Sequence, residues 1–283
     1  MRISIQGIKG AFHQEAAKKY FEGQIEILPQ LSFKDVAESV INKQADYGMM
    51  AIENTISGTI HNNLNLIRQS NLHISGEVYL HIQQNLAALP GTRMADIQQV
   101  HSHYMAINQC REYFLHFPHI KLVDSEDTAL SMKMVAERKA RPLAAIGSKL
   151  AADLYGLEIL AESIETNKKN YTRFLVVENK KTASASNYDK ASLAVLLPHQ
   201  KGSLAKVLSM IDFYHINLSK IESLPIIGEP WHYLFYIDVL FENSKVYQQM
   251  LEAIQPMVDE LQILGEYTFG AHSFREINQS TIH

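Results

Sequence analysis

The sequence is poor in cysteine and contains no long apolar run. Its 283 residues include a single cysteine, Cys110, which excludes an intramolecular disulfide framework and a thiolate zinc cluster. No run of about 18 apolar residues is present, as a membrane-spanning helix would need. The N-terminal segment MRISIQGIKG contains no apolar stretch of the length found in signal peptides. We therefore expect a protein of a reducing compartment, cytoplasmic and not associated with a membrane.

Positive charge is also scarce. The chain has 26 Lys and Arg residues against 30 Asp and Glu residues, which gives a formal net charge of −4. A protein whose whole surface attracts nucleic acid is therefore not expected. A hydrophobic fraction of 46% with 20% charged residues excludes a disordered chain. A local site for a small anion stays compatible with this balance.

The standard cofactor and hydrolase motifs are missing. Gly7 and Gly10 form G-x-x-G rather than the dinucleotide-binding G-x-G-x-x-G, and the P-loop, H-E-x-x-H and G-x-S-x-G patterns do not occur. His101 and His103 could share a strand face as metal ligands, but no third ligand has a matching spacing. We therefore predict no cofactor and no metal.

The sequence does contain a regular alternation of short β-like runs and amphipathic helical stretches over residues 1–178. Two strand–helix–strand groups, residues 1–70 and 95–155, predict an α/β fold with two lobes and a ligand cleft between them. This two-lobed architecture is also that of periplasmic solute-binding proteins.

The composition changes after residue 178. Residues 179–190 are polar and without periodicity, which predicts a linker. Residues 191–270 follow the order β-α-β-β-α-β, which is typical of a ferredoxin-like sandwich. Residues 271–283 are polar and are predicted to form a tail.

Small polar residues lie where predicted strands give way to helices: Gly10, Glu53-Asn54-Thr55, Ser102-His103 and Ser125. Helix N-termini offer free backbone N–H groups and the positive end of a dipole, so several of them around one cleft would hold carboxylates. The alternative, which spacing alone favours, is that these residues only cap helices. Gln109 follows Ser102 by seven residues, or two helical turns, and can face the same side.

Taken in order, the motifs resemble those of bacterial prephenate dehydratases over essentially residues 1–270. They are Gly7-x-x-Gly10-Ala11-Phe12, Ile52-Glu53-Asn54-Thr55 with Gly58, Val100-His101-Ser102-His103 with Gln109-Cys110, Asp127-Thr128-Ala129, Ala144-Ala145-Ile146, Tyr155-Gly156-Leu157 and Asn170-x-Thr172-Arg173-Phe174. Each motif alone is weak, and the ordered set is specific.

The resemblance implies a cofactor-free lyase of L-phenylalanine biosynthesis that converts prephenate to phenylpyruvate, water and carbon dioxide. It assigns residues 1–178 to the catalytic domain and makes Thr172 the group that donates to the departing hydroxyl. Without the resemblance, Thr172 would be interpreted as a β-branched residue opening a strand. The substrate-binding residues it implies are Glu53, Asn54, Thr55, Ser102, Gln109, Arg173 and Phe174. For Arg173, contact with a substrate carboxylate and a structural ion pair are both open.

Residues 191–270 resemble an ACT regulatory domain, through Gly202-Ser203-Leu204-Ala205 and Ile221-Glu222-Ser223-Leu224-Pro225. This implies a homodimer or homotetramer with L-phenylalanine as allosteric effector between subunits. The implied effector contacts are His199, Gly202, Ser203, Leu204, Ala205, Asn217, Leu218 and Glu222. Leu224 stands where the family has Arg, so a purely structural dimerisation module is the alternative.

Two other functions stay open at this point. An arogenate dehydratase would use the same residues on a substrate that carries an amine in place of the keto group. A non-catalytic small-molecule-binding regulatory protein would share the two-lobed architecture.

Overall fold

The computed structural model describes residues 1–179, 188–226 and 233–270, so most of the predicted linker and the whole predicted tail lie outside the described residues. Fifteen strands occur in the described residues: β1 (Arg2–Gln6), β2 (Glu26–Gln30), β3 (Tyr47–Asn54), β4 (Gly58–Thr59), β5 (His73–His81), β6 (Asn85–Ala88), β7 (Gln99–His103), β8 (Lys121–Ser125), β9 (Leu143–Gly147), β10 (Glu158–Ala161), β11 (Tyr171–Glu178), β12 (Lys190–Leu196), β13 (Asn217–Pro225), β14 (Tyr233–Leu240) and β15 (Glu260–Tyr267). Eight α-helices occur in the same residues: α1 (Phe12–Tyr20), α2 (Phe33–Ile41), α3 (His61–Gln69), α4 (Tyr104–Phe114), α5 (Thr128–Arg138), α6 (Lys149–Tyr155), α7 (Ser203–Phe213) and α8 (Ser244–Ile254).

The first sheet has the order β2-β1-β3-β11-β5, with β4 paired to the end of β3. β1 is parallel to β2 and β3, whereas β11 is antiparallel to both of its neighbours. One face of the sheet packs against α1 through Ile5, Met49 and Phe174. The opposite face carries Met50 and Leu175, which pack with α2, α3 and the C-terminal sheet.

The second sheet has the order β10-β6-β9-β7-β8. β7 is parallel to β8 and β9, and β6 is antiparallel to β9 and β10. The chain leaves the first sheet after β5, builds the second sheet from β6 to β10, and returns as β11. The two lobes are therefore joined by two crossings, and the strand that closes the second crossing, β11, lies between β3 and β5 in the first sheet.

The predicted strand–helix–strand groups, residues 1–70 and 95–155, leave out β5, β6 and β10. The β6 residues Asn-Leu-Ala-Ala have little β propensity of their own. Burial between the neighbouring strands stabilises β6 instead. The predicted start of α2 is confirmed: the Ser32 side chain accepts from the Asp35 N–H and the Asp35 carboxylate accepts from the Ser32 N–H.

The C-terminal sheet is antiparallel throughout, with the order β13-β14-β12-β15. Its elements follow the predicted order strand–helix–strand–strand–helix–strand. α7 and α8 cover one face through Val207 and Met250. The β15 strand packs against β5, where a Cβ on Gly265 would lie 2.2 Å from the Ile74 carbonyl oxygen, so only glycine permits this approach. Among the described helices, none is long and apolar enough to cross a bilayer.

Candidate active site

A cleft of about 300 Å³ lies between the two lobes. Three helices begin at its wall: α1 from the first lobe, and α4 and α5 from the second. β3, β11 and the segment between β5 and β6 complete the lining. The lining residues are Gln6, Ala11, Phe12, His13, Ala51, Asn54, Ser57, Ile60, Ile82, Gln84, His103, Met105, Ala106, Gln109, Glu126, Asp127, Thr128, Thr172 and Phe174. The volume suits one small molecule, and the convergence of three helix N-termini suits an anion.

Thr172 and Asn54 face each other across the β3–β11 ladder. Asn54 Nδ2 donates to Thr172 Oγ1 at 2.9 Å, and Asn54 Oδ1 accepts from the N–H groups of Ile56 and Ser57, each at 2.9 Å. The amide is thereby fixed with its nitrogen toward Thr172. Because Thr172 Oγ1 accepts this hydrogen bond, its own O–H proton is available to the cleft. Within the described residues, Thr172 makes no side-chain donation that competes.

A β-bulge brings Asn54 to the cleft. The register pairs Thr172 with Asn54, Arg173 with Glu53 and Phe174 with Ala51, which leaves Ile52 without a partner on β11. Ala51 and Asn54 therefore both line the cleft although they are three residues apart. In an unbroken strand Ala51 would share its face with Glu53, so the extra residue redirects the side chains that follow it.

A line of side-chain amides continues from Asn54 to the second lobe. Asn54 Nδ2 donates to Asn170 Oδ1 at 2.8 Å, and Asn170 Nδ2 donates to Gln109 Oε1 at 3.0 Å. Gln84 Nε2 lies 3.5 Å from the same Gln109 oxygen. Asn170 is fully buried. It was not among the predicted site residues, although its position two residues before Thr172, in the Asn170-x-Thr172 motif, is a signal that sequence reasoning could have used.

Burial perturbs the titratable groups at the helix starts. Asp127 caps α5 by accepting from the Leu130 N–H at 2.8 Å, and burial raises its pKa. His103 precedes α4 and accepts from the Met105 N–H through Nδ1, and burial lowers its pKa. His13, on the first turn of α1, has its pKa lowered by burial to about 4. Both histidines are therefore neutral near pH 7, so the favourable groups for an anion in the cleft are the helix ends rather than imidazolium groups.

Four predicted substrate-binding residues need correction. Arg173 alternates with Thr172 along β11 and so points to the opposite face of the sheet, where Glu53 and Thr55 also lie. Thr55 Oγ1 donates to the Lys169 carbonyl and accepts from the Tyr171 N–H, which holds the loop before β11. Ser102 is fully buried and donates to the Ile146 carbonyl at 2.8 Å, away from the cleft lining. The structure brings Asn54, Gln109, Thr172 and Phe174 to the cleft.

Of the two alternatives for Arg173, the structure supports the ion pair. Arg173 is 3% exposed and binds Glu77 at 2.7 Å and Asp238 at 2.5 Å. Lys190 binds Glu77 at 2.8 Å, and Tyr267 accepts from Arg173 at 3.1 Å. We call Glu77, Arg173, Lys190, Asp238 and Tyr267 the ionic bridge, because it joins the first sheet to the C-terminal sheet. Burial opposes the charge of Arg173, but the carboxylates of Asp238 and Glu77 keep its pKa raised.

The predicted effector contacts lie at both ends of α7. The turn that contains His199 precedes the helix, which begins after Gly202 in a left-handed conformation with φ +82°, and β13 follows it. Glu222, on β13, accepts from Thr59 Oγ1 at 2.9 Å and lies 3.6 Å from Lys220. Glu222 therefore contacts the first lobe in this structure. The remaining members of the predicted set are Ser203, Leu204 and Ala205 at the start of α7, and Asn217 and Leu218 at the start of β13.

Comparison with known proteins gives a consistent family. The family model described as Prephenate dehydratase matches residues 3–182. The bifunctional chorismate mutase/prephenate dehydratase of Enterobacter agglomerans is 34% identical over 271 residues, which are 94% of this chain and 70% of that protein. The crystal structure of prephenate dehydratase from Arthrobacter aurescens in complex with L-Phe is 28% identical, with a TM-score of 0.86 over 99% of this chain and 98% of that one. The structure of GqqA, described as a novel type of quorum quenching acylase, is 27% identical, with a TM-score of 0.87 over 95% of this chain and 98% of that one.

Proposed function

The chain belongs to the prephenate dehydratase family, and from that premise we propose that its cleft removes the ring hydroxyl and the ring carboxylate of prephenate in one decarboxylative dehydration. The protein is accordingly a lyase. The bond from the ring to the carboxylate carbon breaks and its electron pair enters the ring, while the bond to the hydroxyl oxygen breaks and its pair leaves with oxygen. Phenylpyruvate, carbon dioxide and water result, with net uptake of one proton. The Asn54–Thr172 pair in the cleft is the observation that carries this proposal.

Thr172 acts at the departing hydroxyl in this proposal. A threonine hydroxyl is a weak acid, so it donates effectively only as the leaving oxygen gains negative charge in the transition state. Positioned donation of this kind contributes about 10²–10⁴-fold, or roughly 3–5 kcal/mol of barrier. The hydrogen bond from Asn54 stabilises the developing charge on Thr172 Oγ1 and fixes the direction of its proton. Aromatisation of the ring supplies the driving force.

Binding of a dianion by a chain of net charge −4 must depend on local donors. The first turns of α1, α4 and α5 line the cleft and direct the positive ends of their helix dipoles toward the two carboxylates. Gln109 and Phe174 add a polar and an apolar wall. Orientation between these walls would contribute the remaining rate enhancement through positioning.

The direct test is an ultraviolet assay of phenylpyruvate formed from prephenate by the purified protein. Turnover that needs no added cofactor supports the proposal. Binding of prephenate without turnover would instead favour the non-catalytic regulatory protein. The arogenate dehydratase alternative is decided by comparing kcat/KM for prephenate and arogenate.

We further propose that residues 1–178 form the catalytic domain, residues 179–190 a linker and residues 191–270 an ACT regulatory domain. We also propose that the protein is located in the cytoplasm. The β-α-β-β-α-β order supports the ACT assignment, and β13 is one of the two edge strands of this sheet, along which a second copy can pair. A homodimer or homotetramer follows from such pairing.

L-phenylalanine is the effector that this proposal includes. The Arthrobacter aurescens relative holds L-Phe, which supports a corresponding site here. Leu224 stands where the family has Arg and packs against the core of the first lobe. We therefore expect weak inhibition by phenylalanine that strengthens in Leu224→Arg. A flat response of both proteins up to millimolar phenylalanine would reject the regulatory part of the proposal.

A further inference from the structure

His13 is a half-buried polar residue of the cleft that the proposed chemistry does not use. Its side chain lines the cleft on the first turn of α1. Nε2 is buried and has no hydrogen-bond partner among the residues that the structure describes. The ring meets Phe174 edge-on with centroids 5.0 Å apart, and it contacts Phe33 at 5.4 Å. The two aromatic contacts fix the imidazole against the cleft wall.

A buried nitrogen without a partner destabilises the free protein, because its hydrogen bond to water is lost and not replaced. Buried polar side-chain atoms are mostly paired in proteins, so an exception at a cleft wall points to a partner that arrives with the ligand. Phe33 and Phe174 cannot provide that hydrogen bond. A ligand in the cleft, whose wall His13 helps to form, can provide it.

The position of His13 selects one end of the substrate. Phe174 and Thr172 share a strand face two residues apart, which corresponds to roughly 6–7 Å along β11. In prephenate, the hydroxyl and the pyruvyl side chain are on opposite carbons of the six-membered ring. With the hydroxyl at Thr172, a substrate aligned with the strand places its pyruvyl side chain near Phe174 and His13.

The charge state of His13 indicates which group of the substrate's pyruvyl side chain it contacts, namely an uncharged one. Burial holds its pKa near 4, so the imidazole is uncharged at neutral pH. The two carboxylates are better matched by the N-termini of α1, α4 and α5, whereas an uncharged N–H donor suits the uncharged keto oxygen.

We propose that His13 donates a hydrogen bond from Nε2 to the side-chain keto oxygen of the substrate and thereby sets the preference for a keto over an amino side chain. This inference rests on the proposed prephenate chemistry. An ammonium group at the same carbon, as in arogenate, has no lone pair to accept from Nε2. His13 is therefore a specificity-determining residue rather than a group that moves a proton.

The test compares kcat/KM for prephenate and for arogenate in the wild type, His13→Phe and His13→Gln, with exposed His116→Gln as the control. His13→Phe removes the donor, and we expect the prephenate-to-arogenate ratio to fall about 10- to 100-fold. His13→Gln places an amide donor near the Nε2 position and should restore part of the ratio. An equal loss on both substrates, or an unchanged ratio in His13→Phe, would overturn the proposal.

A second measurement uses only the wild type, so it does not depend on whether a variant folds. The His13 imidazole resonances of the wild type should shift on addition of phenylpyruvate and stay unchanged with 3-phenylpropanoate, which lacks the keto group. Equal shifts with both compounds would contradict the inference. A wild type that turns over prephenate normally but fails these tests would refute the role of His13 alone, whereas absence of turnover would refute the proposed function itself.

Discussion

Asn54 Nδ2 donates to Thr172 Oγ1 at 2.9 Å, although the two residues are 118 positions apart in the chain. The contact depends on β11 returning to the first sheet beside β3, and on the bulge that turns Asn54 into the cleft. The opposite face of the same two strands carries Arg173 and Glu53, which belong to the contacts with the C-terminal sheet. One pair of strands therefore bears the candidate chemistry on one face and the junction with the C-terminal sheet on the other.

Asn54→Asp tests the direction of this hydrogen bond. Aspartate keeps an acceptor oxygen for the Ile56 and Ser57 N–H groups, so the turn is retained, but it cannot donate to Thr172. The hydroxyl of Thr172 would instead donate to the carboxylate and be lost to the substrate. We expect kcat to fall by about 10²-fold. Tm should fall as well, because the hydrogen bonds from Asn54 Nδ2 to Asn170 Oδ1 and to the Tyr171 carbonyl are lost. Exposed Asn108→Asp is the matched control, and a kcat in Asn54→Asp equal to that of the control would contradict the assignment.

The ionic bridge predicts a stability effect at the junction between the first sheet and the C-terminal sheet. Asp238→Asn removes a carboxylate that lies 2.5 Å from buried Arg173 and leaves that positive charge partly uncompensated. Breaking a buried ion pair on one side typically costs about 3–5 kcal/mol. We expect a loss of this order in urea unfolding, whereas exposed Asp259→Asn should change the free energy of unfolding by less than about 0.5 kcal/mol. Equal stabilities of the two variants would show that the bridge contributes nothing.

His13 predicts a pH dependence of stability. Its pKa is lowered from 6.5 to about 4 by burial, so between these values the unfolded chain binds a proton that the folded protein does not. The stability that neutral His13 contributes is therefore fully present above pH 6.5 and is lost as the pH falls toward 4. Relative to His13→Gln, the wild type should lose about 3 kcal/mol between pH 7 and 4. Urea unfolding of both proteins across this range measures the difference, and parallel curves would contradict it.

Much of the candidate site follows from motif and strand periodicity, and the rest depends on contacts that no local pattern contains. Thr172, Phe174 and Asn54 were expected at the site and lie at the cleft. Because neighbouring residues of a strand point to opposite faces of the sheet, the sequence already places Arg173 on the face opposite Thr172. The ion-pair role of Arg173 was therefore accessible to sequence reasoning. The bulge that turns Asn54 rather than Glu53 toward the cleft could not be predicted in this way, because it exists only in the pairing of β3 with β11.

The fold shows the same division. Alternation of strands and helices predicted an α/β arrangement, because buried faces leave a period in the sequence. The two crossings between the lobes have no such period. Glu77 and Arg173 meet across 96 residues, and each alone looks like an ordinary surface charge in the sequence. Their pairing becomes visible only when β5 and β11 are adjacent.

The central claim is that the hydroxyl of Thr172 donates to the leaving oxygen of prephenate, and steady-state kinetics of Thr172→Ala and Thr172→Ser test it most directly. We expect kcat of Thr172→Ala to fall by about 10²–10⁴-fold with KM little changed, because the hydroxyl acts mainly in the transition state. Thr172→Ser keeps the hydroxyl and should retain part of the rate. A kcat of Thr172→Ala within a few-fold of the wild type would contradict the account.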